Sequence, residues 1–311
     1  PVCLLSSNEY SADQQLQAMG ELPLRLRAYF MAPFSVSVES VLDTGFTRGF
    51  GNDMFRVGGF KLIMDGGFLS DQRSLVHDTD NATESRRKGR QIHHYTIDEF
   101  TNLLTLIHGR ELQAITHCVS AEGAEMVTKA VEEVRRRLPD ALPIRHRIEH
   151  QRPQTMELAR RQKAAQIYFS MIAPQAGLES WSSPDAAWGG FGATYRSWVK
   201  EGIHPILMSD KCGGEPVQPR PLFSVAAACN TMDKRGSAPA GETVDFDDAL
   251  RMWTLWAAES THQEEDRGTI SVGKLGDFAV LSGNPRHPDP QSLFELKVEA
   301  TILGGKVVYG A

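Results

Sequence analysis

From about residue 20 onward, short runs of β-branched and aliphatic residues alternate with stretches of helical periodicity. The candidate strands are LRLRAYF (24–30), FKLIMDG (60–66), LQAITH (112–117), IRHRIEH (144–150), AQIYFS (165–170) and HPILMSD (204–210). Between the second and third, TIDEFTNLLTLIHGR opens on Thr96 with Glu99 three residues on, the pattern of a capping box. After His117, the residues Ala124, Val127, Ala130, Val131, Val134 and Leu138 fall on one helical stripe. Further helices are predicted over 153–163, 191–201, 219–232 and 246–260. Strand–helix alternation at this spacing means an α/β fold with a parallel sheet, doubly wound or closed into a barrel.

The end of the chain breaks the pattern. After Gly268, GTISVGKLGDFAVLSGNP and VEATILGGKVVYGA read as strands and tight turns with no helices between them. The division predicted is a barrel portion over 1–264 and a small β appendage over 265–311. Residues 66–95 and 171–190 follow strand ends directly and are rich in turn formers. Long loops after strand C-termini are where α/β proteins hold their sites. Trp181 and Trp188 in the second loop either line a pocket or pack the loop down.

Composition narrows the class. The 311 residues are 41% hydrophobic and 23% charged, ordinary for a globular chain with a sizeable core. A net charge of −6 speaks against nucleic acid as a partner, and the run Arg86, Arg87, Lys88, Arg90 reads as a solvated loop. No apolar run approaches the ~18 residues of a membrane span, so no membrane partner is expected. The cysteines at 3, 118, 212 and 229 have no CxxC spacing, which suits a reduced, cytoplasmic protein.

Chemistry gathers at the strand ends: Lys61, His117, His150 and Asp210 each stand at or just before one. Taken singly, each has a plain structural reading. Alternation changes the lysine's standing. Phe60, Leu62 and Met64 share one face while Lys61, Ile63 and Asp65 share the other, so in a helix-covered sheet Lys61 points inward. An unpaired ammonium there costs on the order of several kcal/mol, so Asp65 must neutralise it or carbon dioxide must convert it to a carbamate. His150, Ile148 and His146 likewise share a face, with His150 the functional member and His146 structural. Arg147 and Glu149 fall on the opposite, helix-covered face and are expected as a buried pair. Two imidazoles, a carboxylate and a lysine suit zinc or a similar divalent ion that activates water, with Asp210 as the base.

KLIMDGG, ITHCVSAEGAEMVTKAVE, RHRIEHQ, ILMSD and the closing GTISVGKLGDFAVLSGNP…VEATILGGKVVYG resemble the metal-dependent amidohydrolase superfamily, in the branch that contains the N-substituted formamide deformylases. The resemblance runs from about residue 20 to the end. It implies a (β/α)8 TIM-type barrel with the site at the strand C-termini, and a β-sandwich built from both chain ends. It carries Lys61 to a carboxylated-lysine position, His117 and His150 to metal-ligand positions, and Asp210 to the metal-binding catalytic aspartate. One or two zinc ions and hydrolysis of a carbon–nitrogen bond in a small amide or formamide follow from it.

Two departures stand out. HCVSAEG replaces the family's usual Gly-Asp after the histidine, and no His-x-His occurs; the first seventy residues hold no histidine, and His93–His94 falls in a helix-side loop. Six candidate strands against the eight of a barrel suggest the C-terminal part of a larger amidohydrolase, with an open sheet edge at LRLRAYF. The alternative reading is a catalytically silent fragment or structural subunit. It would complete its barrel with a second copy or with a separate N-terminal chain carrying His-x-His. A metal-free lyase using Lys61 as a Schiff-base amine is a third.

Overall fold

The computed structural model describes residues 2–4, 7–33, 36–65, 93–151, 155–173, 193–210, 221–231, 237–287 and 289–310. They divide into two compact units, residues 1–151 with 161–167, and residues 152–160 with 168–311. Trp181, Trp188, Cys212 and the basic run at 86–90 lie outside the described residues.

The first unit is built on five parallel strands in sequence order: β1 (Val2–Leu4), β2 (Leu26–Met31), β3 (Phe55–Ile63), β4 (Gln113–His117) and β5 (Arg147–Glu149). The edge expected to be open at 24–30 is covered, because β1 pairs with β2 from Val2↔Ala28 to Leu4↔Phe30. This strand is too short to show a periodicity, and α1 (Ser7–Met19), which follows it, has only a weak apolar stripe. Tyr10 of α1 nonetheless packs on Phe30 and Phe55, with ring centroids 5.2 and 5.7 Å apart.

Beyond β2 come α2 (Val38–Leu42), α3 (Ile97–Gly109) and α4 (Ala121–Arg137). α3 begins where the capping box predicts: Thr96 Oγ1 accepts from the Glu99 amide, and the Glu99 carboxylate accepts from the Thr96 amide. Five residues of the predicted stripe, Ala124, Val127, Ala130, Val131 and Val134, form the buried face of α4, while the sixth, Leu138, is the C-cap and only half-buried.

Register fixes which side chains share a face. Lys61 pairs with Ile115 and Ile115 with Arg147, while Ile63 pairs with His117 and His117 with Glu149. Paired residues of parallel neighbours project to the same side. One face therefore carries Lys61, His117, Arg147 and Glu149 together. The other carries Phe60, Leu62, Ala114, Thr116 and Ile148, all buried. Lys61 is inward as expected, but Arg147 and Glu149 join it rather than facing helices. The expectation assumed a regular strand through His150, whereas β5 ends at Glu149 and His150 has φ +61. Arg147 and Glu149 do form a buried ion pair, at 2.5 Å.

A polar chain crosses this face lower down. Arg27 donates to the Tyr29 hydroxyl at 2.9 Å, Tyr29 donates to Gln113, and Gln113 donates to the Arg145 carbonyl. Two glycines of β3 make room for it. A Cβ on Gly58 would stand 2.4 Å from the Tyr29 ring, and one on Gly59, at φ +147, would stand 2.0 Å from the Gln113 carbonyl oxygen.

On the helix side, His146 is structural as expected. Its Nδ1 accepts from the Ala114 amide at 3.1 Å, which leaves Nε2 to donate to His108 Nδ1 of α3 at 2.9 Å. Both rings are buried and this arrangement needs both neutral. Burial, aided by Arg135, pulls the His108 pKa from 6.5 to about 4. The unfolded chain thus takes up this proton more readily, and the stability that His108 contributes is lost as pH falls from the unfolded toward the folded value. Denaturant unfolding should show a loss of about 3 kcal/mol between pH 7 and pH 4 from this group. A His108→Asn variant should show a correspondingly flatter pH profile.

In the second unit, β6 (Tyr168–Met171) and β7 (Ile206–Leu207) pair in parallel. A further helix, α5 (Met156–Ala164), spans the sequence positions where the units divide. Trp198 of α6 (Tyr195–Lys200) packs edge-on against Phe169 at 5.2 Å. After α7 (Pro221–Cys229), the helix expected over 246–260 is two, α8 (Phe246–Trp253) and α9 (Leu255–Glu259), broken at Thr254. The tail is an antiparallel sheet of β8 (Phe278–Leu281), β9 (Val298–Leu303) and β10 (Lys306–Tyr309), ordered β10-β9-β8. It is not wholly free of helix: a 3-10 turn over Pro290–Glu295 joins β8 to β9 and sets Phe294 against Phe223 of α7, ring centroids 5.0 Å apart and planes at 60°.

Candidate active site

The C-terminal ends of β3, β4 and β5 are knitted together by backbone bonds. Met64 donates to the His117 carbonyl at 2.9 Å and Cys118 to the Glu149 carbonyl at 3.1 Å. At these ends the rings of His117 and His150 meet, with centroids 4.8 Å apart and planes at 57°. Alternation would send His150 away from Glu149's face. The left-handed backbone at His150 ends that alternation and brings its ring beside His117.

His117 Nε2 is buried and has no hydrogen-bond partner among the described residues. Burial holds this imidazole neutral down to about pH 2, with His150 and Lys61 pushing the same way and Glu149 opposing. A neutral imidazole with an unused buried nitrogen is a metal ligand in waiting or a strained core residue.

Lys61 is 5% exposed, and no carboxylate pairs with it among the described residues. Asp65, the neighbour expected to neutralise it, is committed elsewhere. Its carboxylate, fully buried, accepts from the amides of Val119 (2.9 Å) and Ser120 (3.0 Å), from the Ser120 hydroxyl (2.5 Å) and from the Cys118 thiol (3.5 Å). Ser120 is the N-cap of α4, so Asp65 also sits at the favourable end of that helix. Gly123 in the first turn leaves it space, since a Cβ there would lie 2.5 Å from the carboxylate.

His93 and His94 belong to this neighbourhood, which the helix-side reading of the sequence missed. His93 bridges to Asp65, and the His94 amide donates to the Met64 carbonyl at 2.8 Å, so the pair is fastened to the end of Lys61's strand. His94 acts electrostatically on His117, and its own pKa is lowered by burial against the opposing pull of Asp65. The signal available in the sequence was two adjacent histidines just before the Thr96 cap.

Asp210 stands in the second unit, exposed, three residues past the end of β7 and with φ +41. Among the described residues no three His, Cys, Asp or Glu side chains form a ready cluster for a metal ion. The pair of imidazoles fits a divalent cation in part, on the strength of the orphaned Nε2; further donors must come from Lys61 or from elsewhere.

Residues 4–309 match the sequence profile of the amidohydrolase family. The chain belongs to that family. An N-substituted formamide deformylase from Arthrobacter pascens is 25% identical over 267 residues, which covers 82% of this amidohydrolase but only 46% of the deformylase. An uncharacterized metal-dependent hydrolase from Pyrococcus furiosus superposes with a TM-score of 0.64 at 21% identity, covering 87% of this chain and 53% of that one. An atrazine chlorohydrolase variant from Arthrobacter aurescens, solved with zinc and atraton, gives a TM-score of 0.55 at 16% identity, covering 96% and 64%. The chain thus spans about half the length of these relatives. The fold class read from the sequence, α/β of the (β/α)8 type with a small β sheet at the C-terminal end, is the one these likenesses carry. No described helix is long and apolar enough to cross a membrane.

Proposed function

We propose that this amidohydrolase hydrolyses a carbon–nitrogen bond of a small amide or formamide at the ends of β3, β4 and β5, with a divalent cation, zinc being the best candidate. The observation that carries the reading is the buried, unpartnered Nε2 of a neutral His117 beside His150. Lys61 supplies the third donor as a carbamate: its neutral amine adds to carbon dioxide, a proton leaves to solvent, and the new anionic oxygens replace a side chain that has no carboxylate partner among the described residues. Bound there, a divalent cation would lower the pKa of water toward about 7 and polarise a carbonyl.

The protein's own share is orientation and proton transfer. His117 presents a neutral nitrogen beside the His150 ring, Arg147 holds Glu149 out of the donor set, and Asp210 takes the proton of the attacking water and returns it to the leaving amine. The deformylase among the relatives supports a formamide or amide substrate. Buried free thiols at Cys118 and Cys229 support a reducing, cytoplasmic setting. In this reading residues 1–264 form the barrel portion and residues 265–311 the small β appendage.

Zinc-supplemented protein should release formate from N-formyl amines, and Asp210→Asn should slow it by about 100-fold or more. Failure to bind zinc would overturn the reading. The absence of His-x-His from these 311 residues favours one variant of it. In that case hydrolysis appears only after a separate chain carrying His-x-His, or a second copy, is added.

A further inference from the structure

His150 has to be held in its unusual backbone, and the residues on either side of it are tied down. Non-glycine residues in the left-handed region cost on the order of 1–3 kcal/mol and persist only where their surroundings over-determine them. The next side chain, Gln151, is 3% exposed and faces Gln162 of α5, which is fully buried. Their amides pair reciprocally: Gln151 Nε2 donates to Gln162 Oε1 at 3.2 Å, and Gln162 Nε2 donates to Gln151 Oε1 at 3.0 Å. The second Nε2 hydrogen of Gln162 goes to Thr128 Oγ1 of α4 at 3.2 Å, and Thr128 in turn donates to the Ala124 carbonyl at 2.7 Å.

A buried amide left without partners is costly, so this closed pair tolerates one arrangement of the backbone at Gln151. On the other side of His150, the Glu149 carbonyl is fixed by the Cys118 amide. The chain is therefore tied on both sides of His150.

We infer that Gln162 is a positioning residue of the site: through Gln151 and Thr128 it sets the left-handed backbone at His150 and hence the meeting of the His150 and His117 rings. The inference rests on the proposed reading only for its consequence in metal affinity; the geometry itself is read without metal.

The test is Gln162→Met in the full chain, beside the double variant Gln151→Met/Gln162→Met, which restores apolar packing without the amide pair. Ring nitrogens of 15N-labelled histidines are followed by NMR in metal-free protein, and zinc alone is then titrated. Both variants should move the His117 and His150 signals and leave those of the His108–His146 pair in place, a built-in check on folding. Zinc affinity should fall by about tenfold or more. The double variant should regain thermal stability without regaining affinity. Unmoved His117 and His150 signals in the folded double variant would overturn the inference, as would wild-type zinc affinity there. If wild-type protein binds no zinc while the signals still move, the hydrolase reading fails and the clamp stands.

Discussion

Asp65→Ala should destabilise the first unit by about 3–5 kcal/mol, the range for uncovering a buried charged hydrogen-bond network. Among the described residues Asp65 is the acceptor for the Val119 and Ser120 amides, and it also takes the Ser120 hydroxyl and the Cys118 thiol. Removing it takes the acceptor from the two amides and the Ser120 hydroxyl and opens a void against Gly123. Asp65→Asn should recover little, because one amide nitrogen would then face donors where an acceptor is needed. Equilibrium unfolding in urea reads the loss directly. A change under about 1 kcal/mol in Asp65→Ala would mean that the loop before α4 is held by something else.

Lys61→Met should have the opposite sign. A buried lysine with no carboxylate partner among the described residues, beside the neutral His117 imidazole, opposes folding of the metal-free protein. A methionine of similar length fills the same space without charge, so stability should rise by about 1–3 kcal/mol. Zinc affinity should fall in the same variant. Gain in one quantity and loss in the other mark a residue kept for chemistry at the expense of stability. A destabilised Lys61→Met, measured without metal by urea unfolding, would show instead that the lysine is structurally satisfied.

Much of this could be read from the sequence, for identifiable reasons. Strong periodicities survive folding: the capping box at Thr96, the α4 stripe and the apolar face of β3 all stand where the pattern puts them. The failures occur where period-two alternation is interrupted. β5 is only three residues long, and the reading of Arg147 and Glu149 as helix-facing extended the strand through a residue whose φ is +61. Nothing local in RIEHQ announces that turn, and the side chain that follows it, Gln151, pairs with Gln162 eleven positions later. β1 was invisible because three residues carry no period, and its pairing with β2 is a tertiary fact. Asp65 was read as a partner for Lys61 because both fall on one side of a strand. The donors that claim it come from the β4–α4 loop, more than fifty residues away.

The central claim is that His117 and His150 together form a cation-binding pair. It is tested most directly by titrating zinc into the full chain against a chromophoric chelator, with His117→Ala and His150→Ala alongside. The claim predicts saturable binding by the wild-type chain and at least about tenfold weaker binding by each variant. Equal zinc affinity in all three proteins would contradict it.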